Sequence, residues 1–170
     1  MRKLLILIIP LLLVSCGKSD KVKLNDQSIG EEAFRYMMPG KDGIVHPKHG
    51  KEVWFAYGAM NGAGDTPANG VVQGYVYEDG TNVITMHLNV LPAREGSFYE
   101  AWLIGQDESE TIPAGHLKNH FGDARHQLQF KTEDDVRKFE KIHVTLELDD
   151  GDPQMSEGLV AEGKLRQIER

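Results

Sequence analysis

Ser97-Phe98-Tyr99-Glu100-Ala101-Trp102-Leu103-Ile104-Gly105 has the aromatic and branched content of a buried strand, and Gly105 with the polar run 106–110 stops it. Alternation puts Phe98, Glu100, Trp102 and Ile104 on one face and Tyr99, Ala101 and Leu103 on the other. Both faces read as largely covered, which predicts a central strand against which weaker, alternating neighbours pair.

Those neighbours recur at short intervals. Before the central run come 53–57, 71–77 and 81–91, the last with Ile84, Met86, Leu88 and Val90 on one face; Asp79-Gly80 is a hairpin signal. After it come 111–117, 125–130, 142–148 and 159–165. In 142–148, Ile142, Val144, Leu146 and Leu148 point one way, and His143, Thr145 and Glu147 the other. Gly58, Gly62, Gly64, Pro67 and Gly70 read as one connecting loop, since they feed a strand and not the helix a phosphate cradle needs. The run from Thr132 to Asp135 opens a short helical turn, with Arg137, Lys138 and Lys141 towards its end. The prediction is an all-β domain, an antiparallel Ig-like β-sandwich of about eight strands with a short helix or two.

The 170 residues carry a net charge of −7 and a single cysteine. That balance excludes nucleic acid as the expected partner, because binding phosphates needs a basic face. Arg2 and Lys3, an apolar run over 4–14, and Leu13-Val14-Ser15-Cys16 have the layout of a secretory signal too short to span a bilayer. The small residue before Cys16 resembles the lipobox of bacterial lipoproteins. There the cysteine is lipidated, palmitate being the expected acyl group, and becomes the new N-terminus. The plainer alternative is an ordinary signal peptide that contains a cysteine. Cys16 has no cysteine to pair with, and acylation accounts for it; stable anchoring takes more than one acyl chain. Losing Arg2 and Lys3 with the leader takes the net charge from −7 to −9.

The chain therefore divides into a lipoprotein signal peptide at 1–15, a lipidated N-terminus and tether at 16–51, and a β-domain at 52–170. Within the tether, Ser28-Ile29-Gly30-Glu31 has capping-box spacing and leads into Glu32-Ala33-Phe34-Arg35-Tyr36-Met37-Met38, which Pro39-Gly40 ends. Its apolar side chains are expected to dock on the domain or on a partner. His46-Pro47-Lys48-His49 follows, a pair that suits copper or nickel but on a loop is more often solvated surface.

Tyr99-Glu100-Ala101-Trp102-Leu103-Ile104, Pro113-Ala114-Gly115, Val144-Thr145-Leu146-Glu147, Gly158-Leu159-Val160-Ala161 and Gly163-Lys164-Leu165 resemble, in order, the C-terminal extracytoplasmic domain of the anti-sigma-K factors. The resemblance covers roughly 52–165. It marks Tyr99, Trp102, Gly115 and Gly163 as fold-defining, in a central aromatic strand, a turn ending in glycine, a paired strand and a closing edge. It implies an outward-facing sensing or interaction role without catalysis. Family members usually carry a cytoplasmic sigma-binding region and a spanning helix ahead of this domain. Here a lipoprotein signal and tether are expected instead, and the run 149–153 is acidic where the family tends to glycine and serine.

No serine has a nucleophile-elbow context, the cysteine belongs to the lipid signal, and no carboxylate pair stands out. The rival to a binding module is a copper or zinc site in which His116, His120 and His126 converge. Asp123 lies between them in the connection, His87 and His143 lie on other strands, and Met60 and Met86 would be soft ligands for reduced copper. His126 shares a face with Leu128 and Phe130, so packing is its other reading, and His143 is expected to face outward. The expectation is a non-catalytic lipoprotein held through Cys16 to the cell membrane or outer membrane, without a cofactor, facing another envelope protein.

Overall fold

The computed structural model describes residues 42–169. These residues form ten strands, all paired antiparallel: β1 (Val45–His46), β2 (Gly50–Gly62), β3 (Asn69–Tyr77), β4 (Asn82–Asn89), β5 (Ser97–Gly105), β6 (Thr111–His116), β7 (Arg125–Thr132), β8 (Phe139–Leu148), β9 (Leu159–Lys164) and β10 (Arg166–Gln167). Eight follow one another in the order β6-β5-β8-β9-β2-β3-β4-β7, and the two-residue strands β1 and β10 add to β2. Each of the eight stretches expected from alternation is a strand. The helical turn after β7 is a 3-10 turn, Val136–Lys138, capped by the Asp135 carboxylate, which accepts from Arg137 N at 3.0 Å. Lys141 belongs to β8 rather than to this turn. The capping-box segment at 28–38 lies outside the described residues.

The central run is β5, residue for residue, but it is second in strand order and not in the middle. The sheet curls until its two ends meet. Beyond β6, Lys118 and Gln127 of β7 exchange backbone hydrogen bonds of 2.7 and 2.9 Å, and Leu117 N donates to Tyr99 O at 2.8 Å. The result is a nearly closed, sandwich-like barrel, in which almost every strand has two neighbours, so coverage on both faces does not require a central place.

The inner face carries the main core. Tyr99, Ala101 and Leu103 of β5 meet Ile142 and Val144 of β8, and Ile84, Met86 and Leu88 of β4 close it from across the barrel. Two glycines expected in a loop sit inside β2, because other backbone approaches closely there. A Cβ on Gly58 would lie 2.2 Å from Lys164 O, and one on Gly62 would lie 1.8 Å from Thr66 O. The connection itself is only 63–68. Asp79-Gly80 does make the β3–β4 hairpin: Tyr77 N donates to Thr81 O at 2.9 Å, and Gly80 takes φ +83°.

Burial departs from simple alternation in two places. Leu146 and Leu148 share the face of Val144 yet are exposed, 38% and 64%, because β8 runs past the barrel mouth; Thr145 and Glu147 on the outer face are buried instead. Secondly, Ile44, Phe55, Tyr75, Tyr77 and Val83 form a separate buried cluster on the outside of β2–β4.

Candidate functional site

The outer face of β5, β6 and β8 concentrates chemistry that alternation alone would put in water. Register sets His116 beside Glu100, Glu100 beside Thr145, Phe98 beside Glu147, and Trp102 between Pro113 and His143. Trp102 Nε1 donates to Thr145 Oγ1 at 2.8 Å, and the Thr145 hydroxyl donates onward to Glu147 Oε1. The loop 149–158 returns along β8: Ser156 N donates to the same Glu147 oxygen at 3.1 Å, and Leu146 N donates to Gly158 O at 2.9 Å. An indole, a hydroxyl, a carboxyl group and a backbone amide thus satisfy one another under that loop, as buried polar groups require.

Glu100 stands at the open side of this chain. Burial pushes its carboxyl above the usual range; the neighbouring His116 pulls it back and Glu147 adds to the rise. His116 Nε2 is 3.9 Å from Glu100 Oε1, and its ring stacks on Phe98 at 4.0 Å between centroids. A partly exposed phenyl ring under an exposed imidazole, backed by a half-buried carboxyl, can take up a cationic or amide-bearing group from a partner. Alternation and spacing pointed to no carboxylate pair. Glu100 and Glu147 sit on one face diagonally across two strands, a juxtaposition that only register reveals.

The raised Glu100 carboxyl fixes a pH dependence. A carboxyl with a higher pKa when folded keeps its proton while the unfolded chain has lost it. Its contribution is therefore most favourable below the unfolded value and declines as pH rises through the folded one. Glu100→Gln is expected to flatten this decline and to be the more stable protein above neutrality. Urea unfolding of both proteins from pH 4 to 8 measures the difference; an unchanged slope would contradict the assignment.

The histidines expected to converge occupy different places. His116 lies outside the barrel wall, whereas His126 lies inside it, in register with Leu88 and edge-on to Tyr99 at 5.2 Å. Both His126 nitrogens are engaged: Nδ1 donates to Ala124 O at 3.1 Å and Nε2 accepts from Asn119 Nδ2 at 3.3 Å. It is a packing residue. His120 is exposed in the connecting loop, Asp123 pairs with Arg125 at 2.5 Å, and Met60 and Met86 are buried in the core. Among the described residues no group of three or more His, Cys, Asp or Glu stands in a metal-binding arrangement. His143 lies on the outer face as expected, and burial lowers its pKa.

His46 and His49, expected as solvated surface, stack at 4.5 Å between centroids, and both rings approach Tyr77. His49 Nδ1 lies 2.7 Å from Asp79 Oδ2, and that bond above all holds the Asp79 carboxyl down to about 2.

Gly115 is not the end of a turn. Glu100 pairs with His116 and Trp102 with Pro113, so Ala114 is an extra residue in β6, and the bulge needs Gly115 at φ +106°. The bulge drops Ala114 into the core and brings His116 over Glu100. Gly163 lies where β9 meets β2, and a Cβ there would be 2.8 Å from Ala59 O. Tyr99 reaches across the barrel end, its hydroxyl donating to Leu91 O at 2.9 Å.

The family described as "Anti-sigma-K factor rskA, C-terminal" matches residues 55–160, from β2 into β9. The chain belongs to this anti-sigma-K factor C-terminal family. The matched span takes in β5, the β6 bulge and β8, so the Glu100–Glu147 face of this anti-sigma-K-type domain lies wholly within it. Compared with the curated proteins and with the solved structures, the chain matches none. Among the described residues no helix is long and apolar enough to cross a membrane.

Proposed function

We propose that the chain is a bacterial lipoprotein, anchored through lipid on Cys16 and displaying a non-catalytic anti-sigma-K-type domain that binds or senses a partner of the cell envelope. The observation that carries this reading is the family match over 55–160. The basic start, short apolar run and Leu13-Val14-Ser15-Cys16 support the anchor, and the Phe98–His116 stack backed by Glu100 is the surface assigned to the partner. The buried polar groups on this face support binding over catalysis, because they are engaged with one another rather than converging on an open cleft.

Cys16→Ser is expected to lose incorporation of labelled palmitate and to lower the membrane-bound fraction at least about tenfold, since stable attachment depends on the acyl chains. Fractionation of cells expressing each form tests this, and an unchanged membrane fraction would remove the anchor. Metal analysis of the purified protein tests the rest. Stoichiometric copper or zinc that disappears with His116→Ala and His120→Ala together would replace the binding module by a metal carrier.

A further inference from the structure

The second hydrophobic cluster is on the wrong side of the sheet for an ordinary barrel. Phe55, Tyr75 and Val83 lie in one register row across β2, β3 and β4, pointing away from the core, and Tyr77 lies on the same face. Next along it come Gln73 and Thr85, bonded to each other at 3.3 Å. All of these are buried: Tyr75 and Val83 are 0% exposed, Tyr77 1% and Gln73 2%. An outer face of this area is buried only beneath a covering layer. Among the described residues the cluster has one apolar side chain from outside these strands, Ile44, with the rings of His46 and His49 beside Tyr77. Ile44 is too small to cover the row, and Phe55, Tyr75 and Tyr77 each make a further interaction beyond these.

The described chain begins at Asp42, two residues before Ile44, so its first described residues lie at this face. The preceding sequence includes one apolar stretch of suitable chemistry outside the signal: Ile29, Ala33, Phe34, Tyr36, Met37 and Met38. Of these, Ala33, Phe34, Met37 and Met38 are linked by steps of three and four and would share one helical face, and methionine suits the irregular surface between tyrosine rings. We infer that residues 28–38 dock on the outer aromatic face of β2–β4 and complete the domain. The docked segment is part of the folded unit, so the free tether is only 17–27, which reaches at most roughly 40 Å when fully extended. The inference goes beyond the proposed function: it sets which face turns towards the anchor, while the docking itself stands whether or not Cys16 is lipidated.

Nitration by tetranitromethane, mapped by mass spectrometry on the full chain purified in detergent, tests it. Tyr75 and Tyr77 are expected to be protected in the wild type. In a Phe34→Asp, Met37→Asp variant they should react about tenfold faster or more, while Tyr99 in the main core stays protected. Phe34→Leu should keep the wild-type pattern. If the double variant unfolds, seen as nitration of Tyr99 as well, Phe34→Ala reads the same contrast. Equal protection in wild type and in the variants overturns the inference. So does nitration of Tyr75 in the dilute wild type, which would leave the face to a separate partner, and so does protection that fades on dilution, which would assign it to a second copy.

Discussion

Leu103→Ala is expected to destabilise the domain by about 2–5 kcal/mol, the cost of removing a buried leucine side chain and leaving a cavity that neighbours fill only in part. Leu103 is 0% exposed, on the inner face of β5, in register with Ile112 on one side and Ile142 on the other. Both neighbours are β-branched residues on hydrogen-bonded strands, so neither can move in without disturbing its ladder. Against a total stability of about 5–15 kcal/mol the change is large, and the urea midpoint should fall by roughly 1–3 M. Leu103→Met conserves volume and should cost under about 1.5 kcal/mol. A cost for Leu103→Ala below about 1 kcal/mol would mean that β5 does not line a packed interior.

Thr145→Val is the second large effect, although the side chains have nearly the same shape. The hydroxyl accepts from Trp102 Nε1 at 2.8 Å and donates to Glu147 Oε1, and Trp102, Thr145 and Glu147 are all at most 6% exposed. Valine would leave a buried indole N–H without an acceptor and a buried carboxylate with one donor fewer, at about 2–4 kcal/mol together. Thr145→Ser keeps both bonds and should cost under about 1.5 kcal/mol. Urea unfolding measures the difference. Tryptophan emission of the folded Thr145→Val protein checks its origin, since an altered environment at Trp102 should accompany the loss. Equal costs for valine and serine would show that the hydroxyl is unimportant and only its volume matters.

These two residues divide what was readable beforehand from what was not. Leu103 was legible: it sits in an aromatic, branched run with a clear stop, and period-two alternation put it opposite Trp102 and on the side of Tyr99. Glu147 was not. In 142–148 alternation marks it as outward and hence solvated, yet the loop 149–158 folds back and donates to it from Ser156. Leu148 is the mirror case, on the core face of its strand but 64% exposed, because a strand's face says nothing about where the barrel ends. His116 and His126 show the same limit. Their spacing invited a shared site, but the bulge at Ala114–Gly115 and the parity of β7 set them on opposite sides of the wall.

Local chemistry along the chain determined eight strands, the turn at Asp79-Gly80 and the inner face of β5, because each depends on residues within a strand's length of one another, and the order of several such stretches carried the family. Tertiary structure alone decided that the sheet nearly closes through Lys118 and Gln127, that Glu100 and Glu147 share one buried face, and that Phe55, Tyr75 and Tyr77 form a second cluster outside the barrel. The physical reason is that burial belongs to whatever lies above a side chain. For these residues that neighbour comes from a distant part of the sequence, beyond the reach of any periodic pattern.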